Sequence, residues 1–208
     1  MIRKCLLLTA VLMISLHGSP AMAVEETGYK VVLKKGNFEV RDYLGLVVAE
    51  VTVSGEQKQA ANKGFRLLAG YIFGGNTRRQ GIAMTSPVAQ EPTSEMIAMT
   101  APVTRTQNAG TWTVRFTMPS AYTLDALPEP TDPKVKLRRL PPARYAVLRF
   151  SGLARQSEVN SKSRELVAAT SAHRLSAIGN VSLAQYNPPW TPWFMRRNEV
   201  MIPVAPTP

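Results

Sequence analysis

The sequence predicts an α+β fold, a distorted antiparallel β-barrel built from two related strand-strand-helix-strand-strand halves with two flanking α-helices. Three observations carry this. Short runs rich in Val, Phe and Tyr are punctuated by glycine and proline. Two longer segments place apolar residues at helical spacing. The same order of elements stands on both sides of a proline-rich stretch, Pro119 to Pro133, which reads as a crossover loop because neither side alone holds a complete core.

In chain order, Tyr29 to Lys34, Phe38 to Tyr43 and Leu46 to Val53 read as strands of an antiparallel meander, with Gly36 and Gly45 between them. Ser54 stands three residues before Gln57, a capping-box spacing. Ala61, Gly64, Phe65, Leu68 and Ile72 then recur with helical period, which predicts an amphipathic helix over residues 55–73 closed by Gly74 and Gly75. A block is repeated next: Ile82-Ala83-Met84-Thr85-Ser86-Pro87-Val88 and Ile97-Ala98-Met99-Thr100-Ala101-Pro102-Val103. Each copy reads as a short strand whose proline, lacking an N–H, belongs at an end, edge or bulge. Thr111 to Met118 alternates as a further strand. The second half supplies strands near Val135–Leu140 and Tyr145–Phe150, a helix near Ser157–Leu175, and strands near Val181–Gln185 and Glu199–Pro203.

The chain opens with Arg3 and Lys4, an apolar run from Cys5 to Leu16, then Gly18, Pro20 and Ala21-Met22-Ala23. This is the pattern of a secretory signal peptide over residues 1–23. A domain over 24–203 and a disordered tail over 204–208 are expected to follow, in the periplasm or outside the cell. The apolar run is shorter than the roughly 20 residues of a membrane span. Cleavage removes Cys5, the one cysteine, so the remaining chain of about 185 residues must fold on its core alone. With 25 Lys and Arg against 14 Asp and Glu the protein is basic. Export and the lack of basic runs interleaved with aromatics argue against nucleic acid. Anionic small molecules, acidic polymers, weak contact with an anionic membrane surface, or basicity serving solubility alone remain. A monomer is expected.

Catalysis lacks its usual equipment. The sequence has no Gly-x-Ser-x-Gly elbow and no His-Glu-x-x-His pair, and His173 is the only histidine outside the signal segment. The expectation is therefore a binding protein and not an enzyme.

Several motifs resemble one family. Tyr71-Ile72-Phe73-Gly74-Gly75-Asn76, both Met-Thr-x-Pro-Val blocks, Phe116-Thr117-Met118-Pro119-Ser120, Arg144 through Gly152, Tyr186-Asn187-Pro188-Pro189-Trp190 and Arg196-Arg197-Asn198-Glu199-Val200 together look like the SOUL haem-binding family, over roughly residues 29–203. The resemblance implies the two-halved barrel already read. It also implies non-covalent binding of haem or a related tetrapyrrole in an apolar cleft beside the first helix and the C-terminal strands, as carrier, buffer or scavenger. A tetrapyrrole-modifying enzyme using the same cleft, or a generic amphipathic-ligand binder, are the alternatives.

Haem needs a flat apolar slot and cations for two propionates. Asn62, Phe65, Arg66 and Ala69 form one strip of the first helix. The resemblance puts Asn62, Phe65 and Ala69 toward the ligand, with Tyr186 opposite. Some relatives carry a basic residue at the position of Asn62, which leaves Lys63 or Arg66 to meet the propionates. Packing of Phe65 on the sheet is an equal reading. Trp190 and Trp193, among prolines, either rim the cleft or close the barrel. No metal ligand is assigned: where some relatives have a histidine this chain has Asp42, and His173 fits a solvated or helix-capping role. Met84 and Met99 fit matched core positions better than thioether ligation.

Overall fold

A computed structural model describes residues 25–78, 94–188 and 190–206. Nine strands form one antiparallel sheet: β2 (Tyr29–Lys35), β3 (Phe38–Tyr43), β4 (Leu46–Ser54), β7 (Val103–Asn108), β8 (Thr111–Thr117), β10 (Lys136–Leu140), β11 (Ala143–Ser151), β12 (Ser182–Gln185) and β13 (Arg197–Val204). Their spatial order is β10-β4-β8-β7-β12-β13-β11-β3-β2. The short strands β1 (Glu25–Glu26) and β6 (Thr100–Ala101) pair in parallel, and β5 (Asn76–Thr77) pairs with β9 (Glu129–Pro130). Helices α1 (Gln57–Ile72) and α2 (Gln156–Ala172) pack on one face of the large sheet, and a single 3-10 turn spans Trp193–Met195.

The order is nearly palindromic. Exchanging β3 for β10, β4 for β11, β7 for β12 and β8 for β13 maps the sheet onto itself, leaving β2 as an extra edge strand. The two halves meet where β7 pairs with β12, Val103 opposite Gln185 and Arg105 opposite Leu183. Each half has its own core on the helix side. Ala49, Val51 and Val53 alternate along β4 and meet Ala60, Leu68 and Ile72 of α1 and Val114 and Phe116 of β8. Phe38, Val40, Ala146, Leu148, Val200 and Ile202 do the same beneath Val159 and Leu166 of α2. The curled sheet with two flanking helices is the predicted class.

Some local expectations change. The opening strands are not a meander: β2 and β3 form a hairpin, but β4 leaves for the far side of the sheet, between β10 and β8. Pairing there is set by contacts across the two halves, which no local pattern reveals. The capping box does not form, because Glu56 occupies the N-cap of α1 and no side chain caps the helix. The first repeated block lies outside the described residues. In the second, Thr100 and Ala101 pair with β1, Pro102 stands between strands behind a cis peptide bond, and Val103 enters β7. Sequence reading did not separate β7 as a strand. Met99 packs against the first core, as expected for a core methionine. Val204, assigned to the tail, instead ends β13 buried, and the Ala205 N–H donates to the Ser176 carbonyl.

Candidate functional site

The helix-bearing face carries a groove where the two halves meet. One wall is the start of α1, with Ala61, Asn62 and Phe65; the other is the approach to α2, Leu153 to Gln156. The floor comes from Val103 and Arg105 of β7, Val114 of β8 and Gln185 of β12, and Arg196 stands at the end. The part under Phe65 has a cavity volume of about 290 Å³, and the wider part between the helix starts about 820 Å³. These sizes are in the range of small-molecule sites.

Phe65 does two jobs at once. Its ring sits edge-on to Phe116, with centroids 5.3 Å apart, and the residue, still 38% exposed, lines the groove. The wall it makes with Ala61, Val103 and Val114 is apolar.

The electrostatics are cationic. Among the described residues, Lys58, Arg105, Arg155 and Arg196 line the wide part against a single carboxylate, Glu56. Arg105 is the distinctive member: its Nε is buried without a hydrogen-bond partner, and burial lowers the guanidinium from its ordinary value. Such a group normally finds a partner, since a buried charge without one is costly. Both helices also begin at this groove with no side-chain cap, at Glu56 and Arg155. Their first-turn N–H groups and dipoles add partial positive charge.

The opposite face of the sheet is built differently. A cavity of about 370 Å³ is lined by Tyr43, Tyr145 and the hydroxyls of Thr104, Thr106, Thr117 and Ser182. Arg115, the one arginine among the described residues that line it, already donates from Nε to Glu50 Oε2 at 2.7 Å. It therefore offers no unpartnered guanidinium for an anionic ligand. Beside it lies a charge cluster: Glu199, fully buried, accepts a bidentate pair from Arg41 at 2.7 and 3.0 Å, and also bonds from Arg197 and the Tyr186 hydroxyl.

Comparison with known proteins is decisive for the family. The SOUL heme-binding protein profile matches residues 24–203. The chain belongs to the SOUL haem-binding family. It is similar to Heme-binding protein 1 of Xenopus tropicalis, 28% identical over 165 residues, covering 78% of this chain and 81% of the relative. Among solved structures it is similar in fold to the EcmrR C-terminal domain, with a TM-score of 0.58 at 8% identity, covering 86% of this chain and 99% of that one. A hydrolase from Listeria innocua gives 0.52 at 14%, covering 84% and 94%.

In this SOUL protein the residues singled out by sequence part company. Asn62 and Phe65 line the groove together. Lys63 and Arg66 are exposed on α1 and line neither part, and Ala69, half-buried, lies a turn beyond. Tyr186 is not opposite Phe65. It packs with Tyr43, Val147 and Met201 on the other face, its hydroxyl committed to Glu199 at 2.7 Å and its ring covered by the Arg197 guanidinium at 3.8 Å. Trp190 is 83% exposed and lines neither part of the groove. His173 caps the far end of α2 against the Phe38 ring. Sequence reasoning missed Arg105 and Gln185. The available signal was alternation along β7, which places Arg105 on the same face as Val103, the face that carries the helices.

Proposed function

We propose that this SOUL protein binds haem or a related tetrapyrrole, non-covalently and reversibly, in the groove between α1 and the start of α2. It acts outside the cytoplasm as a carrier, buffer or scavenger and does not convert its ligand. The observation that carries this reading is Arg105, a half-buried arginine whose Nε is buried and unpartnered at the floor of a part-apolar groove. A flat ring suits the wall of Ala61, Phe65 and Val114, and its carboxylates suit Arg105, Arg155 and Arg196. A charge-assisted bond to the orphaned guanidinium satisfies a group that folding left without one.

When bound, haem would supply its ring and its iron. Among the described residues that line the groove there is no His, Cys, Met or Tyr, so none of them ligates the iron. Recognition then falls on ring and carboxylates, and protoporphyrin without iron should bind within a few-fold of hemin.

Titration of the purified chain with hemin tests this. The Soret band should shift and tryptophan emission should be quenched. Arg105→Gln should weaken binding by about tenfold or more, since hydrogen bonds to charged groups contribute roughly 1.5–3 kcal/mol. No Soret shift and no quenching, or unchanged affinity in the variant, would falsify the assignment. Product analysis after incubation should recover the ligand intact.

A further inference from the structure

We propose that the turn from Trp190 to Met195 docks the protein on an anionic lipid bilayer, with its aromatic side chains in the interfacial layer. Trp190, Trp193, Phe194 and Met195 are 83%, 60%, 61% and 63% exposed, an unusual concentration of large apolar side chains at one surface point.

The exposure is built in. Pro188 and Pro192 bracket the start of the turn, the Thr191 N–H donates to the Pro188 carbonyl, and the Met195 N–H donates to the Pro192 carbonyl, both at 3.0 Å. Arg196 Nε donates to the Thr191 carbonyl at 2.8 Å, and the Arg197 N–H to Asn187 Oδ1 at 2.6 Å. Trp193 and Phe194 meet edge-on, their centroids 5.8 Å apart. The side chains are held outward by a fixed backbone, away from both helix-side cores.

Chemistry selects the occupant. Trp and Phe with flanking arginine form the combination that settles at a membrane interface, aromatic rings at headgroup depth and cations on the phosphates. Arg155 shares a surface cleft with Trp193, Leu153 and one carboxylate, Glu158, and outside the expected signal segment the chain still carries 23 Lys and Arg, the 25 less Arg3 and Lys4, against 14 Asp and Glu. Each basic residue near an anionic surface adds attraction. A protein partner would need a broader contact than these few side chains provide. Arg155 and Arg196 also line the groove, so docking turns its mouth toward the lipid. An amphipathic ligand would then pass between bilayer and groove without crossing water. That consequence rests on the proposed function, whereas the docking does not.

The experiment uses the ligand-free chain with vesicles of phosphatidylcholine, alone or mixed with phosphatidylglycerol. Binding to the mixed vesicles is expected, weakened by salt, with tryptophan emission shifted to the blue and quenched by brominated lipid. The triple variant Trp190→Ser, Trp193→Ser, Phe194→Ser should lose at least tenfold in partitioning while keeping its circular dichroism and unfolding midpoint. Absence of vesicle binding, equal binding to neutral vesicles, or full binding by the triple variant each overturns the proposal. So does self-association that the same substitutions abolish without any binding to lipid. Hemin titration in the absence of vesicles reports the groove separately.

Discussion

Arg41 and Arg105 are both set into the large sheet, on opposite faces, the first paired with carboxylates and the second with an unpartnered Nε. Arg41 is held by Glu199 and sits beside Tyr43, whose hydroxyl burial pushes up to about 12. Burial alone would raise the Glu199 carboxyl, but hydrogen bonds from Arg41 and Tyr186 and the charges of Arg41 and Arg197 outweigh it and hold the carboxyl below its ordinary value. Neutralising Glu199 removes the bidentate partner of buried Arg41, leaving it Glu39, and leaves Arg197 only the half-exposed Glu26, so Glu199→Gln should cost about 3 kcal/mol in urea unfolding. The folded value lies below the unfolded one, about 4.3. The native state therefore binds fewer protons there, and the stabilisation present above that pH is lost as pH falls through the folded value. Glu199→Gln should flatten this acid limb; an unchanged limb would assign it to other carboxylates. Arg105 predicts the reverse. With an orphaned Nε it weakens the empty protein, so Arg105→Gln should leave thermal stability equal or higher while ligand affinity falls. A variant that loses both would mark Arg105 as a structural residue.

At the scale of elements, α1 shows what packing demands. A Cβ at Gly64 would stand 2.5 and 2.8 Å from Val114 Cγ2 and Cβ, inside contact distance of a stiff β-branched side chain. Alanine gains about 1 kcal/mol of helix propensity over glycine. Overpacking costs about 1–3 kcal/mol, and Val114 cannot swing aside within β8, so Gly64→Ala should be net destabilising. A raised chemical-unfolding midpoint would refute this. The elements themselves were largely legible: alternation located β3 and β4, and helical spacing located α1, because those signals are local. The position of β4 beside β10 was not legible, since it depends on an exchange between halves. On the site, Asn62 and Phe65 were legible from one helix face. Tyr186 was placed opposite α1 by the family resemblance, while its strand register sends the ring to the other face, against Tyr43 and Met201. Arg105 was hidden because a single arginine in a Thr-rich strand looks like solvent exposure until both neighbouring strands are known.

For the whole molecule, the groove sits on the seam of the duplicated fold. Its floor joins β7 of the first half to β12 of the second, and its walls are the starts of the two helices. A ligand there touches both halves, so its binding energy resists their separation as well as local opening. Saturation at a hundredfold excess over Kd adds about 2.7 kcal/mol to stability. At roughly 2–4 °C per kcal/mol for a chain of this size, the melting midpoint should rise by about 5–10 °C. Amide exchange should slow at β7 and β12 and at the first turns of α1 and α2, and stay unchanged at the edge strand β2. Protection confined to the Tyr43 and Tyr145 side of the sheet would move the ligand to the hydroxyl-lined cavity. The rise should shrink in Arg105→Gln, and an undiminished rise in that variant would overturn the assignment of the ligand's carboxylates to Arg105.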